Sequence, residues 1–350
     1  MNVKGMMRHG ALLLLLALLL NAQALAAEPE KISEFKDIPA GHWADESVAR
    51  AVDLGLVQGL GNKKFGLGTE ITGAQYATLL CRLMGWELIS PEQGSIPSNQ
   101  DPTAWYFRAV ETALVHEALT PGGGFDPNGP VTREDLASMT VRALGWSSLA
   151  GLVQDDCPYK DVTVNRGYIT LANRMGFLFG TGSGKFSPKD HCTREQAAAV
   201  LLRLYDRLHA ELKRGADGEL PEGVALVIIP AQTGMETPVP FSPRASLEAI
   251  YAASRTVGRG GSVALHTAPF AQTVKNGLVY DGRSLTAEEF NALSASENAQ
   301  LNRSARYGSS YLLLPAEDGD TVVWFASEDD LEAAAELCRL LGLGGMYTIP

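Results

Sequence analysis

Apolar residues recur at helical spacing along the first two thirds of the chain. Val48, Ala51, Val52 and Leu56 mark one such stripe, and steps of three and four residues predict an amphipathic helix with one buried face. A loop containing glycine follows, then a second stripe, and the same order occurs twice more downstream. The pattern therefore predicts an all-helical region built from three pairs of helices.

One short motif shows that the three pairs are copies of a single unit. It runs from a phenylalanine to a threonine at residues 65–72, 125–132 and 186–193. Successive threonines are 60 and 61 residues apart, and a fixed period of this kind is the signature of a tandem repeat. The sequence predicts three modules, at residues 31–90, 91–150 and 151–210.

The threonine that closes each motif is placed to cap the second helix of its module. Thr72, Thr132 and Thr193 each stand three residues before an acid or an amide. This spacing is that of a capping box, in which the two side chains accept hydrogen bonds from backbone N–H groups at the helix start. The box is complete in copies one and three and approximate in copy two.

Arginine follows the capping threonine in two copies, at Arg133 and Arg194. A cation in the first turn faces the positive end of the helix dipole, at a cost of about 0.3–1 kcal/mol. Two explanations stay open. An anionic ligand would offset the cost, because a guanidinium and free N–H groups both suit a carboxylate or phosphate. The alternative is an intramolecular partner, such as Asp161 or Asp126.

The last third of the chain alternates between short apolar runs and amphipathic stretches. Such alternation predicts a small α/β domain at 224–350 with a mostly parallel sheet covered by helices, after a linker at 211–223 that contains Pro221. Strands are expected at 224–229, 262–267, 310–315, 321–326 and 345–349, and helices at 243–257, 286–300 and 328–341.

The N-terminus has the order of a secretory signal. Lys4 and Arg8 precede an apolar run at 11–20, and small residues follow at Ala24 and Ala26. About ten apolar residues are too few to span a bilayer as a helix. We expect a signal peptide at 1–26 and no membrane span after its cleavage. An uncleaved N-terminal anchor is the alternative.

Charge and cysteine content narrow the functional classes. The formal net charge is −11, which repels nucleic acid and requires local donors for any anionic ligand. The four cysteines are too scattered for a disulfide framework or a zinc knuckle, although Cys157 and Cys192 flank one unit and either pair or stay free. No Walker loop and no His-Glu-x-x-His motif occurs in the sequence, so we expect no metal and no other cofactor.

Three stretches of the chain carry a family resemblance. FKDIPAGHWADESVARAVDLGLVQG in copy one, GFDPNGPVTRED in copy two and KFSPKDHCTREQ in copy three resemble S-layer homology (SLH) modules. In that family three modules form a pseudo-threefold helical spindle. Grooves between the modules bind the secondary cell-wall polysaccharide, commonly through a pyruvylated sugar that bears a carboxylate. The resemblance implies a secreted protein held non-covalently at the cell wall or in the S-layer.

The resemblance also implies a set of carbohydrate-binding residues. The acid that opens a module matches Asp37 and Asp161, and the aromatic after it matches Trp43 and Trp105, which either bind sugar or pack the module core. The helix-start arginine matches Arg133 and Arg194, with the acids Glu134 and Glu195 beside them. Copy one departs from the family because Gly73 stands at the arginine position. Copy two lacks the opening Phe-x-Asp, although Asp101 lies nearby. We expect at most two competent grooves.

The C-terminal tail carries a second resemblance. VVWFASEDDLEAAAELCRLLGLGGMYTIP is similar to the closing strand, helix and strand of chitinase-like family 18 glycoside hydrolases. Such an enzyme needs a glutamate that protonates the glycosidic oxygen, but the chain has no Asp-x-x-Asp-x-Asp-x-Glu run and offers only scattered acids such as Asp281, Glu288 and Glu289. The region is also shorter than the roughly 250 residues of an eight-stranded barrel. The sequence favours a wall-binding protein over the alternative, a wall-anchored glycoside hydrolase.

Overall fold

The computed structural model describes residues 35–122, 124–216, 220, 225–227, 239–240, 247–276, 278–304 and 309–349. The signal peptide expected at 1–26 lies outside these residues, as do most of 217–224 and the end of the strand expected at 224–229. The described N-terminal region is mostly helical, and the C-terminal region contains two β-sheets. No helix in the described part is both long and apolar enough to cross a bilayer.

Seven α-helices build the described N-terminal region. They are α1 Asp45–Asp53, α2 Gly73–Leu83, α3 Phe107–Val115, α4 Arg133–Ala143, α5 Ser147–Leu152, α6 Arg166–Arg174 and α7 Arg194–Leu208. The expected pairs are α1 with α2, α3 with α4, and α6 with α7, while α5 is an additional short helix between the second and third modules.

Capping fixes where the second helix of each module begins. Thr72 and Thr132 accept hydrogen bonds from the N3 backbone N–H groups of α2 and α4, and the N3 side chains reach back, so both boxes are complete. At α7 the Oε1 atom of Gln196 accepts from the N–H of Thr193 at 3.2 Å. The box in copy two, expected to be only approximate, closes through Asp135.

The helices of different modules pack against one another. Helix α2 packs on α3, α4 on α6, and α7 returns to pack on α1. The second helix of each module thus covers the first helix of the next, and the third module closes back onto the first.

A ring of three backbone hydrogen bonds lies where the modules meet. The N–H of Val131 donates to the carbonyl of Ile71 at 2.9 Å, Cys192 to Val131 at 2.8 Å, and Ile71 to Cys192 at 2.9 Å. Each of these buried residues directly precedes a capping threonine. All four cysteines are free, so the alternative in which Cys157 and Cys192 pair is wrong.

The C-terminal region contains ten strands and three helices among the described residues. They are β1 Lys213–Ala216, β2 Ala225–Val227, β3 Val239–Pro240, α8 Leu247–Val257, β4 Ser262–His266, β5 Phe270–Lys275, β6 Leu278–Ser284, α9 Ala287–Ser294, β7 Gln300–Ser304, β8 Ser309–Leu314, β9 Asp320–Phe325, α10 Glu328–Leu341 and β10 Gly345–Ile349.

Four of these strands form a parallel sheet in the order β1-β10-β4-β2. Helices α8 and α10 pack against each other and against this sheet. We call the sheet with these two helices the parallel unit. Strand β1 lies within residues expected to form the linker, so the chain enters the sheet soon after α7 ends.

The other six strands form an antiparallel sheet in the order β3-β6-β5-β9-β8-β7. A small core around Leu312, Leu314 and Val323 joins one of its faces to α9. The expectation of a mostly parallel sheet is therefore wrong for the larger sheet. Strand β7, Gln-Leu-Asn-Arg-Ser, is largely exposed and polar, and its first residue lies within the helix expected at 286–300.

The parallel unit shares a hydrophobic core with the helical modules. Helix α10 packs on α7, and α8 packs on α5. Polar contacts reinforce the junction, since Asp156 accepts hydrogen bonds from the hydroxyl of Tyr251 at 3.2 Å and from Nη1 of Arg255 at 2.6 Å. The two regions are therefore packed together and not merely joined by a chain segment.

We predict that Ile71→Ala destabilises the protein by about 2–5 kcal/mol, because it leaves a cavity beside the hydrogen-bond ring. The matched control is Ile89→Ala, since Ile71 is fully buried and Ile89 is 37% exposed. The control is expected to change the free energy of unfolding by less than about 1 kcal/mol. Urea unfolding measures both, and equal effects would contradict a structural role for the ring.

Candidate functional site

The first candidate cluster lies where the start of α7 meets the loop of the first module. Arg194 donates from Nε to the carbonyl of Phe65 at 3.0 Å and from Nη2 to the carbonyl of Gln58 at 2.9 Å. Its guanidinium also lies 5.1 Å from the centre of the Phe65 ring. The neighbouring Glu195 accepts from the N–H of Gly68 at 3.0 Å. Arg194 and Glu195 of the third module thus both bind the loop of the first module.

Asp37 holds the same loop from its other side. Its carboxylate accepts the N–H groups of Phe65, Gly66 and Leu67 at 2.8, 2.7 and 3.1 Å. Desolvation opposes the charged form, but these backbone hydrogen bonds outweigh it and lower the pKa of Asp37. Burial lowers the pKa of Arg194, against the opposing effect of the nearby Glu195 and Asp37 carboxylates.

The second cluster repeats this arrangement between the second and third modules. Arg133 donates from Nε to the carbonyl of Phe186 at 2.9 Å and from Nη2 to the carbonyl of Phe179, and lies 4.8 Å from the centre of the Phe186 ring. Glu134 pairs with Lys189. Asp161 accepts the N–H groups of Phe186 and Ser187, both at 2.8 Å, and these bonds lower its pKa.

Backbone carbonyls, and not acids, are the partners of both helix-start arginines. Asp161 binds backbone N–H groups, and Asp126 accepts from the N–H of Asn128 at 2.9 Å, so the alternative in which one of them pairs with an arginine is wrong. Two carbonyl hydrogen bonds and a cation–π contact offset the unfavourable helix dipole. Within the described part of the chain, Nη1 of Arg133 and of Arg194 makes no hydrogen bond. Each half-buried guanidinium therefore has one edge held by the protein and, at Nη1, N–H groups that make no hydrogen bond within the described residues.

The junction between the first and second modules is built differently. Gly73 occupies the arginine position there, and a Cβ at this residue would lie 2.7 Å from the carbonyl oxygen of Asp126 and 2.8 Å from Cε2 of Phe125. A cavity of about 280 Å³ lies beside it, with Asp135 and Arg142 among its lining residues. The carbonyl of Asp126 and the ring of Phe125 therefore leave no room for the Cβ that an arginine at this position would carry.

The second module also lacks the loop-holding acid. Asp101 accepts from the N–H and hydroxyl of Thr103 at 2.9 and 2.7 Å, and not from the loop. The hydroxyl of Ser98 donates instead to the carbonyl of Phe125 at 2.6 Å. This junction has neither the arginine nor the carboxylate of the other two.

The two tryptophans are on the surface. Trp43 is 56% exposed and Trp105 is 67% exposed, so the alternative in which they pack the module core is wrong. Their rings contact His42 and Tyr106 respectively. Of the eight expected site residues, six converge in the two clusters, whereas the tryptophans are not among the contacts that hold either cluster in the described structure.

Sequence reasoning missed the carbonyl partners of the arginines. Gln58 and Phe179 each stand seven residues before the motif phenylalanine, Phe65 or Phe186, and directly before a glycine. Every residue has a backbone carbonyl, so the residue type does not mark these partners. Only their equal distance from the motif phenylalanine would have pointed to them. Lys189, the partner of Glu134, has no counterpart in the first module, where Gly68 occupies that position.

The scattered acids of the C-terminal region have structural partners. Glu289 caps α9 by accepting the N–H of Thr286 at 2.8 Å and also pairs with Arg283, and these bonds lower its pKa, which is the wrong direction for a general acid. Asp281 accepts the N–H of Thr273 at 3.0 Å. Among the described residues, no cluster of His, Cys, Asp and Glu could hold a metal ion.

Comparison with known families identifies the repeat. The family model described as "S-layer homology domain" matches residues 34–77, 100–137 and 158–198. The chain carries three S-layer homology domains. Each match covers the first helix of a module, the glycine-containing loop and the capped start of the second helix.

Curated relatives share this part of the chain. An S-layer protein of Bacillus thuringiensis subsp. finitimus is 28% identical over 51% of this chain and 22% of its own length. The S-layer protein sap of Bacillus anthracis is 30% identical over 48% and 21%, and an endoglucanase of Bacillus sp. (strain KSM-635) is 26% identical over 58% and 23%. The chain spans about a fifth of the length of these relatives. The SLH domains and the S-layer relatives indicate a secreted protein of the cell surface.

Solved structures give only distant likenesses. A chitinase from Chromobacterium violaceum has a TM-score of 0.28 and 15% identity over 62% of this chain and 68% of its own. The Bacillus cereus spore cortex-lytic enzyme SleL has a TM-score of 0.28 and 13% identity over 36% and 30%. A TM-score at this level assigns neither a fold nor a chemistry.

Acidic pH should reduce the stability that the two loop-holding carboxylates contribute to the folded protein. Because their pKa values are lowered in the folded protein, the stability that Asp37 and Asp161 contribute is present above the unfolded value of about 3.9 and is lost as the pH falls through the folded values. We predict that Asp37→Asn combined with Asp161→Asn lowers stability at pH 7, and that the difference from wild type shrinks below pH 4. Urea unfolding between pH 7 and pH 2.5 measures this. Asp53→Asn, at an exposed site, is the control, and a pH-independent difference would contradict the prediction.

The tight junction at Gly73 gives a second prediction. Gly73→Ala should destabilise the protein by about 1–3 kcal/mol, because the added Cβ meets backbone and ring atoms below 3 Å. Gly122→Ala is the matched control, since a Cβ there meets no atom within 4 Å. Thermal unfolding of the two variants compares them, and a neutral Gly73→Ala would show that the loop can retreat to admit a side chain.

Proposed function

We propose that the three SLH domains anchor the protein to the cell wall by binding secondary cell-wall polysaccharide at two junctions between modules. The observation that carries this proposal is the pair of equivalent guanidiniums, Arg133 and Arg194, each held along one edge by two carbonyls and open along the other. A fixed guanidinium with free N–H groups is a receptor for an oxyanion.

The ligand that fits this arrangement is an acidic sugar. The carboxylate of a pyruvylated residue accepts hydrogen bonds from the open edge of the guanidinium, while the chain's net charge of −11 leaves such local donors as the means of capture. Asp37 and Asp161 position the loops that carry the guanidinium-binding carbonyls. The exposed Trp43 and Trp105 offer flat surfaces for contact with sugar rings.

The architecture that we propose for the triplet is a pseudo-threefold helical spindle, with modules at 31–90, 91–150 and 151–210. The closed ring of hydrogen bonds and the repeated packing of each second helix on the next first helix support it. The threefold pattern is broken in side chains at one place, because Gly73 replaces arginine. We infer two binding sites and not three.

The region from 224 to 350 is proposed to be the part that the anchor presents at the cell surface. A wall-anchored glycoside hydrolase is the alternative function, but the acids singled out in the sequence, Asp281 and Glu289, give it no support. Glu289 has a lowered pKa, and both Glu289 and Asp281 are engaged in local hydrogen bonds.

Binding to purified cell-wall sacculi tests the proposal. The full chain is compared with Arg133→Lys, Arg194→Lys and the double variant, because lysine keeps the charge but loses the two-edged geometry of the guanidinium. We predict that each single exchange weakens binding at least tenfold, about 1.4 kcal/mol, and that the double exchange weakens it further than either.

Three controls separate anchoring from folding and from general charge. Arg82→Lys, at an exposed arginine on α2, is expected to bind like the wild type, and thermal unfolding checks that every variant is folded. Sacculi stripped of the secondary polysaccharide should not bind, and sacculi treated with mild acid to remove the pyruvyl group should bind weakly. Equal binding to stripped walls by folded variants would refute the proposal.

A further inference from the structure

Two arginines meet at the junction between the third module and the parallel unit. Arg207 lies in the last turn of α7, and Arg259 lies in the turn that follows α8. They are about fifty residues apart in sequence, and neither belongs to the two clusters described above. Their side chains come from opposite sides of the junction.

Two glycines show how close the guanidiniums lie. A Cβ added to Gly176 would lie 2.3 Å from Nη2 of Arg259 and 3.3 Å from Nη2 of Arg207. A Cβ added to Gly342 would lie 2.6 Å from Nη1 of Arg207 and 3.6 Å from Cγ of Arg259. Each arginine therefore crosses the junction and packs against a glycine of the opposite region, and the Nη2 atoms of both lie beside Gly176.

Neither of the two arginines has an acidic partner. Within the described part of the chain, the side chains of Arg207 and Arg259 make no hydrogen bond and no ion pair, whereas the nearby Arg255 pairs with Asp156 at 2.6 Å. Desolvation and, after it, the charge of Arg259 lower the pKa of Arg207. The charge of the adjacent Asp206, which is itself paired with Arg50, opposes this shift. The chain has 40 acidic and 29 basic residues, so two adjacent arginines that form no ion pair are unusual on this acidic protein.

We propose that Arg207 and Arg259 form an anion-binding site that takes one carboxylate, phosphate or sulfate group at the junction of the SLH triplet and the C-terminal region. Two guanidinium forks beside the same glycine can present several N–H donors to a single oxyanion. Arg259 is exposed and Arg207 is half-buried, so the site is open to solvent on one side and walled on the other.

Such a ligand would join the two regions. Because one arginine belongs to α7 and the other follows α8, an anion bound to both contacts the triplet and the parallel unit together and stabilises their packed arrangement by mass action. The competing explanation is purely structural. Gly176 and Gly342 close the C-terminal ends of α6 and α10, and a cation beside such an end is stabilised by the helix dipole alone.

Anion-dependent unfolding of the full chain distinguishes the two explanations. Urea unfolding is followed against increasing inorganic phosphate, with chloride at matched ionic strength as the reference. We expect a saturable gain that lowers the unfolding constant about a hundredfold at a phosphate concentration of about one hundred times Kd. Arg207→Gln or Arg259→Gln should weaken phosphate binding at least tenfold, whereas Arg203→Gln, on the same helix, should not.

The behaviour in chloride alone adds a sharper criterion. If the two arginines form an anion-binding site, each glutamine exchange should leave stability in chloride unchanged or raise it. The reason is that the exchange removes the repulsion between two like charges. Variants that are less stable in chloride, together with a phosphate effect equal in wild type and variants, would overturn the proposal in favour of helix-end contacts.

Oligogalacturonate at an equal concentration of acidic groups is the second probe. Tighter binding of the oligomer assigns the site to an acidic polymer, and tighter binding of phosphate assigns it to a free ion.

Discussion

Three backbone hydrogen bonds, joining Ile71, Val131 and Cys192 in a ring, determine the geometry of the helical region. Each of these residues directly precedes a capping threonine, so the ring sets the start of one helix from each module around a common point. The residue after each threonine is thereby directed at the loop of another module. Arg133, Arg194 and Gly73 occupy these three equivalent positions, and their chemistry decides what each junction can bind.

The three junctions show how one backbone plan supports different sites. At two of them an arginine lies over a buried phenylalanine and a carboxylate ties down the adjoining loop. At the third, the carbonyl of Asp126 and the ring of Phe125 lie where a Cβ at Gly73 would collide with them. The arginine and the loop-holding acid are both missing from the same junction. This junction therefore lacks every charged group that the other two clusters share.

Local signals in the sequence predicted the helical half well. The 60-residue period, the capping threonines and the apolar stripes are short-range patterns, and the structure confirms the helix pairs that they predict. Long-range partners left no comparable signal. The carbonyls of Gln58 and Phe179 carry no side-chain information, and Arg207 and Arg259 become neighbours only because α10 packs on α7. The antiparallel sheet was missed because short, polar edge strands such as β7 lack the apolar runs that mark buried strands.

The common core of α5, α7, α8 and α10 has a mechanical consequence. A protein held to a wall at one end and exposed at the other experiences drag and torque. Helices of the three modules and of the parallel unit pack across a common interface, where Asp156 binds Tyr251 and Arg255. A load on the parallel unit passes directly into α7, and from there to its first residue, Arg194. Under the proposed function, the helix that carries one of the wall contacts also sets the orientation of the parallel unit relative to the wall.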